Sequence, residues 1–561
     1  MQRITRRTAI KGVVASASGL LSGCGGSSEA APEEGAGAGT PVPSPAPAPS
    51  PGPAPSPGPA PSPGPAPSPG PAPTPGPAPS PAPATDIRFV GPDMVPLGQT
   101  SSPFTVSLWP VNSSVRAPVT VTAGDGGAGG RFAPASVTLT TTAPSASLSY
   151  TAARLGTVAV AVDNNAGLSN PAQRSLSVVT LPAWAANARS GTWTEVPMAA
   201  TLASIDPAKS PLHNPNYPGS PEWNGSTGQW SIVGAWCGAA YDEATDTMWL
   251  GVGGGHSNYG GNEIYRCGFF DAGPAWTMVR PPSGAVGNLI TTRDGRESTG
   301  LYADGRPRAV HGYNKWVYVP GVGPALAVHG STAYSAAGGK AWSAFINPAN
   351  GEASFSVEHT GTQYGTTASG ACYDPSRNAI WIAPSSTGNI YRYNIPTSGG
   401  AHTGAAASLI GSTGSSRYYT SVTYIPGHDV LLVGNSVDDT GNSGTWRVFD
   451  CATGRGYNPA FNGTRTMGGV GMTQPRWVPS LGTVCAWHNN NNRTVITTIT
   501  PGANPRTDAW TFGTLPVSGS NTVMPSAPVS YGTYGRFAYS PRLGGFLVFN
   551  SINGPTYFYK L

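Results

Sequence analysis

From residue 181 to the C-terminus the chain is written in short apolar runs separated by Gly, Pro, Asn and Asp, which predicts strands joined by tight turns. Five runs carry an aromatic residue, any residue and a proline: Tyr318-Val319-Pro320, Tyr373-Asp374-Pro375, Tyr424-Ile425-Pro426, Trp477-Val478-Pro479 and Tyr539-Ser540-Pro541. Tyr241-Asp242-Glu243 is a degenerate first copy. A second apolar run follows each copy after a turn, as at 248–252, 379–382, 430–433, 483–487 and 545–549. The copies recur every ~50 to 75 residues, the length of a four-stranded antiparallel unit with variable loops. Gly191-Thr192-Trp193-Thr194-Glu195-Val196 reads as the outer strand of such a unit without its inner ones. It is expected to close the set against the last unit, which ends Phe558-Tyr559-Lys560-Leu561. Six units are visible, and a seventh has room between Ala200 and Trp230.

Upstream, residues 86–180 hold seven short alternating runs, at 87–90, 105–111, 119–123, 136–140, 146–151, 157–162 and 175–179. Turn clusters such as Gly124-Asp125-Gly126-Gly127 and Asp163-Asn164-Asn165 separate them. Seven short strands at this spacing predict a β-sandwich. The segment resembles the immunoglobulin-like modules common in exported bacterial proteins, without their inter-sheet disulfide. Before it, residues 40–84 repeat Pro-Ser-Pro-Gly-Pro-Ala, which packs no core and favours polyproline II. At about 3.1 Å per residue this is a semi-rigid spacer on the order of 100 Å long.

Composition agrees with an exported all-β protein. Charged residues make up only 10% of the 561, while Gly (76) and Pro (59) are abundant. A net charge of +5 with no long basic run argues against a nucleic-acid partner. At the N-terminus Arg3, Arg6 and Arg7 precede a short apolar run at 12–21, too short to span a bilayer. Thr5-Arg6-Arg7-Thr8-Ala9-Ile10-Lys11 resembles a twin-arginine export signal, with Ala9 in place of the usual aromatic. Leu21-Ser22-Gly23-Cys24 resembles a lipobox, which implies lipidation of Cys24 and a membrane anchor. Gly25, standing where an aspartate would retain the protein in the inner membrane, implies outer-membrane or cell-surface placement. The expected organisation is a signal peptide with lipobox (1–24), a Pro-rich linker (25–85), an immunoglobulin-like sandwich (86–180) and a repeat domain (181–561).

The first repeat also carries Gly253-Gly254-Gly255, then Asn262-Glu263-Ile264-Tyr265, Phe270-Asp271 and Trp276. That order resembles the kelch repeat and the galactose-oxidase-like propellers. The resemblance implies a β-propeller of six or seven blades, with Tyr391, 446–450 and 557–559 in late-strand positions. The copper site of galactose oxidase needs a tyrosine followed directly by histidine, and this chain has no Tyr-His dipeptide. The fold is therefore carried over and the copper oxidase activity is not.

The start of a unit's first strand and the end of its antiparallel neighbour lie at the same end of the unit, so residues at those points share one face. His311, Tyr313, Arg417, Tyr418, Tyr419, Gln474, Arg476, Tyr534 and Arg536 precede first strands. His256, Asn258, Tyr259, His329, Ser385, Asn435, His488, Asn489 and Asn550 follow second strands. Half of the eight histidines fall in this set and carboxylates are nearly missing from it. The insertion at 281–309, with Arg293, Arg296, Arg306 and Arg308, is expected to arch over the same face. Arginine forks bind carboxylates and aromatic rings stack on sugars, so the face suits an acidic polysaccharide.

Without a metal, these groups fit β-elimination: a cation neutralises a uronate carboxylate while a tyrosine or histidine moves the adjacent proton. For that chemistry His256, Tyr259, His311, Tyr313 and Arg417 are the candidate catalytic residues. Asn258, His329, Tyr418, Arg476, His488, Tyr534 and Arg536 are the candidate substrate contacts. Propeller-type polysaccharide lyases resemble this chain in that mixture. Hydrolysis by paired carboxylates is disfavoured by the scarcity of acids. The competing reading is a non-catalytic adhesion or protein-binding propeller. No cofactor is expected, although a histidine metal site among His256, His311, His329 and His488 stays open. Cys237, Cys267, Cys372, Cys451 and Cys485 form no Cys-x-x-Cys pair, and their odd number leaves at least one unpaired within the chain. The protein is expected to act as a monomer on an extracellular polysaccharide.

Overall fold

The computed structural model describes residues 82–92, 94–101, 103–110, 113–205, 228–254, 259–283, 302, 306–329, 341–359, 369–385, 387–395, 407–414, 419–434, 446–464, 473–487, 492–529 and 532–561. At 328–329, 341–342 and 354–359 it describes the backbone alone. Cys24, the signal and the Pro-rich tract up to residue 81 lie outside the described residues, as do His256, Asn258, Arg417, Tyr418 and His488.

The described chain is all-β with a few short helical turns. Asp86–Val90, Phe104–Trp109, Ser145–Thr151 and Arg131–Ala133 form one sheet near the N-terminal end of the described residues. Met94–Pro96, Arg174–Val179, Gly156–Asn164, Val119–Gly124 and Ser136–Leu139 form its partner. Strict alternation along Phe104–Trp109 turns Phe104, Val106 and Leu108 inward, where they meet Val121, Leu148, Tyr150, Val160 and Leu176. Met94–Pro96 and Arg131–Ala133 are strands that the sequence pattern missed. At three residues each, they are too short to show an alternation.

Six further sheets follow. Sheet I is Ala240–Asp242, Thr247–Gly251, Ile264–Gly268 and Trp276–Arg280. Sheet II is Trp316–Val319, Gly323–His329, Ala341–Ile346 and Ala353–His359. Sheet III is Gly370–Asp374, Ala379–Ala383, Asn389–Asn394 and Ser408–Ser412. Sheet IV is Ser421–Ile425, Val430–Gly434, Arg447–Asp450 and Gly456–Tyr457. Sheet V is Arg476–Val478, Thr483–Ala486, Thr497–Thr500 and Trp510–Thr514, extended by Phe461–Asn462. Sheet VI is Phe537–Ser540, Gly545–Phe549 and Thr556–Lys560, and its fourth strand is Trp193–Glu195, which precedes sheet I in the chain. The pairing of Trp193 with Tyr559 is the closure that the orphan outer strand suggested.

Each sheet buries a face on the next. Trp249 of sheet I meets Trp316 and Leu326 of sheet II, and Phe345 of sheet II meets Ile382 and Tyr391 of sheet III. Trp381 meets Leu431 and Phe449 between sheets III and IV, and Leu432 meets Ile499 and Trp510 between IV and V. Trp487 meets Phe537 and Phe546 between V and VI. Leu547 and Phe558 of sheet VI then meet Met248 and Leu250 of sheet I, so the succession returns to its start. Burial on both faces explains why the second strands of sheets III, IV and VI are unbroken apolar runs.

The aromatic motif has a geometric cause. The residue five positions after it is left-handed in all six copies: Asp246 (φ 52°), Gly323 (φ 124°), Asn378 (φ 48°), Asp429 (φ 52°), Gly482 (φ 60°) and Gly544 (φ 69°). Only Gly, Asn and Asp adopt that conformation readily, so the turn between the first two strands selects them. Where the turn residue has a side chain, the tyrosine hydroxyl donates to it: Tyr241 to Asp246 at 3.0 Å, Tyr373 to Asn378 at 3.1 Å and Tyr424 to Asp429 at 3.1 Å. Two of these turns are also clasped from the preceding sheet. Arg377 of sheet III forks onto Asp429 at 2.6 Å, and Arg542 of sheet VI approaches Asp246 at 3.2 Å while Ser540 donates to the same carboxylate.

The second clasp makes the seam between sheets VI and I sensitive to pH. Burial pushes the Asp246 carboxyl up to about 6, against the pull of Arg542, Ser540 and Tyr241. A folded-state pKa above the ordinary value means that the folded protein holds the proton more tightly, so stability falls as pH rises from about 4 to 6. Replacing Asp246 by Asn removes this titration. The wild type should gain on the order of 2 kcal/mol relative to Asp246→Asn between pH 6 and pH 4. Urea unfolding of both proteins at the two pH values measures the difference, and a constant difference would contradict the assignment.

Candidate functional site

The positions five residues before the motif aromatic carry a second repeat. In sheets I, II, IV and VI they are Trp236 (φ 51°), Tyr313 (φ 46°), Tyr419 (φ 53°) and Tyr534 (φ 48°). Large side chains avoid this backbone region, at a cost of ~1–3 kcal/mol each. Neither glycine nor asparagine stands at any of the four, in contrast to the turns at the other end of the strand. The first strands of successive sheets neighbour one another, so these residues converge at one end of the axis between the sheets. Tyr313 lies 5.9 Å edge-on from Tyr534 and 6.3 Å from Tyr419, centroid to centroid. His311 packs on Trp236 at 4.6 Å and meets the edge of Tyr313 at 5.9 Å. Tyr313 and Tyr534 are buried, whereas Trp236 and Tyr419 are partly open to solvent. Burial raises the Tyr534 hydroxyl well above its ordinary value, with Tyr313 and Tyr419 adding to the shift. The Lys315 amine lies 5.3 Å from the Tyr313 ring centroid, and burial pushes it down to about 7.

Beside these rings the axis is bridged by two amides. The Asn314 side-chain amide donates to the carbonyls of Thr420 and Thr473, each at 3.3 Å. The Gln474 amide donates to the carbonyls of Val422 at 2.6 Å and Ala371 at 3.4 Å. Asn314 Oδ1, Gln474 Oε1 and the hydroxyls of Thr420 and Thr473 are buried without a hydrogen-bond partner among the described residues. Buried oxygens of this kind ordinarily take a donor from water or a ligand. The result is a set of aromatic walls beside hydrogen-bonding oxygens.

The expected residues divide as follows. His311, Tyr313 and Tyr534 come together in the aromatic cluster. Arg536 does not: it is fully buried and donates to the carbonyls of Cys237 at 3.0 Å, Phe549 at 2.9 Å and Gly532, which makes it a staple between sheets VI and I. Arg476 likewise donates to the carbonyls of Phe537 at 2.9 Å and Gly535 at 3.0 Å, tying sheet V to sheet VI. Tyr259 is buried, and its hydroxyl donates to Glu263 at 2.7 Å. Glu263 also accepts from Tyr265 at 3.1 Å, and burial raises its carboxyl above the ordinary value. These three side chains are committed to internal bonds because the strands bring carbonyls and a carboxylate into reach. His329 ends the second strand of sheet II opposite Trp342, with its side chain outside the described residues.

Trp236, Asn314, Lys315, Thr420 and Thr473 were not anticipated. The spacing of five, from aromatic to aromatic to Gly, Asn or Asp, is the signal that aligns Trp236 with the three tyrosines. Cys237, Cys267, Cys372, Cys451 and Cys485 are all buried and unpaired. Burial pushes the Cys237 thiol up to about 11, so it is an inert packing group. Among the described residues no group of three His, Cys, Asp or Glu side chains is placed to hold a metal ion.

No protein-family model matches the chain, and no curated protein matches it. Among solved structures it is similar to a protein of unknown function from Bacteroides thetaiotaomicron, at 10% identity and a TM-score of 0.37, over 86% of this chain and 99% of that one. An auxiliary nutrient binding protein from the same organism is similar at 11% identity and a TM-score of 0.32, over 85% and 97% of the two chains. A rhamnogalacturonan lyase from Bacillus licheniformis is similar at 10% identity and a TM-score of 0.28, over 86% and 91%. Likenesses this distant assign neither a fold family nor an activity.

Proposed function

We propose that residues 181–561 form a six-bladed, kelch-like β-propeller that binds an extracellular acidic polysaccharide at the axial end where the aromatic cluster lies. The domain is carried, in this reading, behind an immunoglobulin-like sandwich and a Pro-rich stalk on a lipidated Cys24 at the cell surface. The observation that carries the proposal is the cluster itself. Four aromatic residues keep a strained backbone at equivalent positions, beside buried oxygens that lack donors. Strain held at repeated positions is a mark of a site. Aromatic faces with hydroxyl-seeking oxygens suit a sugar ring, whose C–H face stacks while its hydroxyls donate.

Binding is tested by titrating the purified protein with uronate-rich and neutral polysaccharides. Tyr419→Ala should weaken binding of the uronate polymer roughly threefold to tenfold, the value of one stacked ring. The proposal fails if no acidic polymer binds, or if Tyr419→Ala and Trp236→Ala both bind as tightly as the wild type.

The contact of His311 with Tyr313 favours a second reading, β-elimination. One group would take the proton next to the uronate carboxylate, a carbon–carbon double bond would form, and the glycosidic oxygen would leave with a proton from the other. Ultraviolet absorbance of the unsaturated sugar ends tests it. Binding without any absorbance increase leaves the protein a lectin-like module.

A further inference from the structure

A cleft of about 510 Å³ opens between sheets I and II at the end opposite the aromatic cluster. One wall is a cross-strand row on sheet I, Trp249 beside Arg266 beside Thr277. Tyr318 and Pro348 of sheet II face it, and Asp271 stands on the turn before the fourth strand. The volume lies within the roughly 300–1,000 Å³ of small-ligand sites. At the VI–I and III–IV seams an arginine clasps an aspartate in the turn of the next sheet; the I–II seam, where that turn residue is Gly323, has no such clasp.

Two charged groups of this cleft are uncommitted among the described residues. Arg266 is exposed and forms neither an ion pair nor a side-chain hydrogen bond with them; its guanidinium rests 5.8 Å from the Trp249 ring centroid. Asp271 is exposed, and its carboxylate accepts no hydrogen bond from a described residue. The two are not paired with each other, although both line the cleft. By contrast the Asp242 carboxylate is already filled by the Ala244 amide and the Thr245 hydroxyl, and it takes no part. A planar guanidinium matches a carboxylate with two parallel hydrogen bonds, and a carboxylate beside it accepts hydroxyls.

We propose that this cleft is a second, independent subsite for a uronate-bearing oligosaccharide. Arg266 holds the sugar carboxylate and Asp271 accepts its hydroxyls, at the end of the domain away from the aromatic cluster. This subsite rests on the proposed polysaccharide binding only for the class of polymer it takes. Isothermal titration with di- and trimeric uronate oligosaccharides should give two sites per wild-type chain. Arg266→Ala should abolish one site, and Tyr419→Ala should weaken only the other. Thr277→Trp, at an exposed position of the same wall, fills the cleft while leaving both charged residues in the chain and should mimic Arg266→Ala. Oligosaccharides with reduced carboxyls should lose the cleft site. If Arg266→Ala and Thr277→Trp both bind with wild-type stoichiometry and affinity, the cleft is no uronate site. If instead Tyr419→Ala changes nothing while Arg266→Ala removes all binding, the aromatic-cluster reading fails and this one stands.

Discussion

Trp193→Ala should lower the free energy of unfolding by about 3–5 kcal/mol, the ordinary cost of deleting a fully buried tryptophan. Trp193 lies far from sheet VI in sequence, yet it forms part of that sheet's outer strand. Its ring packs against Tyr559 at 5.3 Å and Trp487 at 6.2 Å, so it joins sheets V and VI as well as the Trp193–Glu195 strand and the C-terminal strand. The indole N–H donates to the carbonyl of Thr494 at 2.8 Å, and truncation would strand that acceptor. The peptide N–H of Trp193 is held by Asn521 at 2.8 Å. Urea or guanidinium unfolding followed by circular dichroism measures the loss. A shift below ~1 kcal/mol would mean that the Trp193–Glu195 strand is an appendage and the sheets are held together by their other seams.

Arg536→Met should cost roughly 3 kcal/mol of stability, because three buried carbonyls lose their donor at once. Burial pushes the guanidinium down to about 10, still well above neutral pH, so the staple is charged. A methionine fills similar volume and offers no hydrogen bonds. Lysine keeps the charge but cannot span three acceptors in one plane. Both variants should therefore be destabilised while the folded fraction binds polysaccharide normally. Unchanged stability with lost binding would return Arg536 to the ligand face, where sequence reasoning put it.

That misplacement shows where sequence reasoning stops. An arginine just before a first strand reads the same whether its head faces the axial opening or turns onto backbone carbonyls. Arg536 and Arg476 both turn inward, Arg536 onto the carbonyls of Cys237, Phe549 and Gly532 and Arg476 onto those of Phe537 and Gly535. Tyr259 was legible as a tyrosine after a second strand, but its bond to Glu263 depends on a close approach set by strand register. His311, Tyr313 and Tyr534 were legible as partners because the repeat placed them at one end. Trp236 was overlooked because its copy of the motif is degenerate.

By itself the sequence determined the all-β character, the six strand pairs marked by Tyr or Trp, and the return of the N-terminal strand to the last sheet. These are local or periodic properties. Apolar runs demand two-faced burial, left-handed turns demand Gly, Asn or Asp, and an orphan strand demands an edge. Only the tertiary structure decided which polar side chains remain free. It committed Arg476, Arg536 and Tyr259 to internal bonds, gathered four strained aromatics at one end of the axis, and opened a charged cleft between sheets I and II. Whether a side chain is free depends on the neighbours that long-range packing brings, and these are not written beside it in the chain.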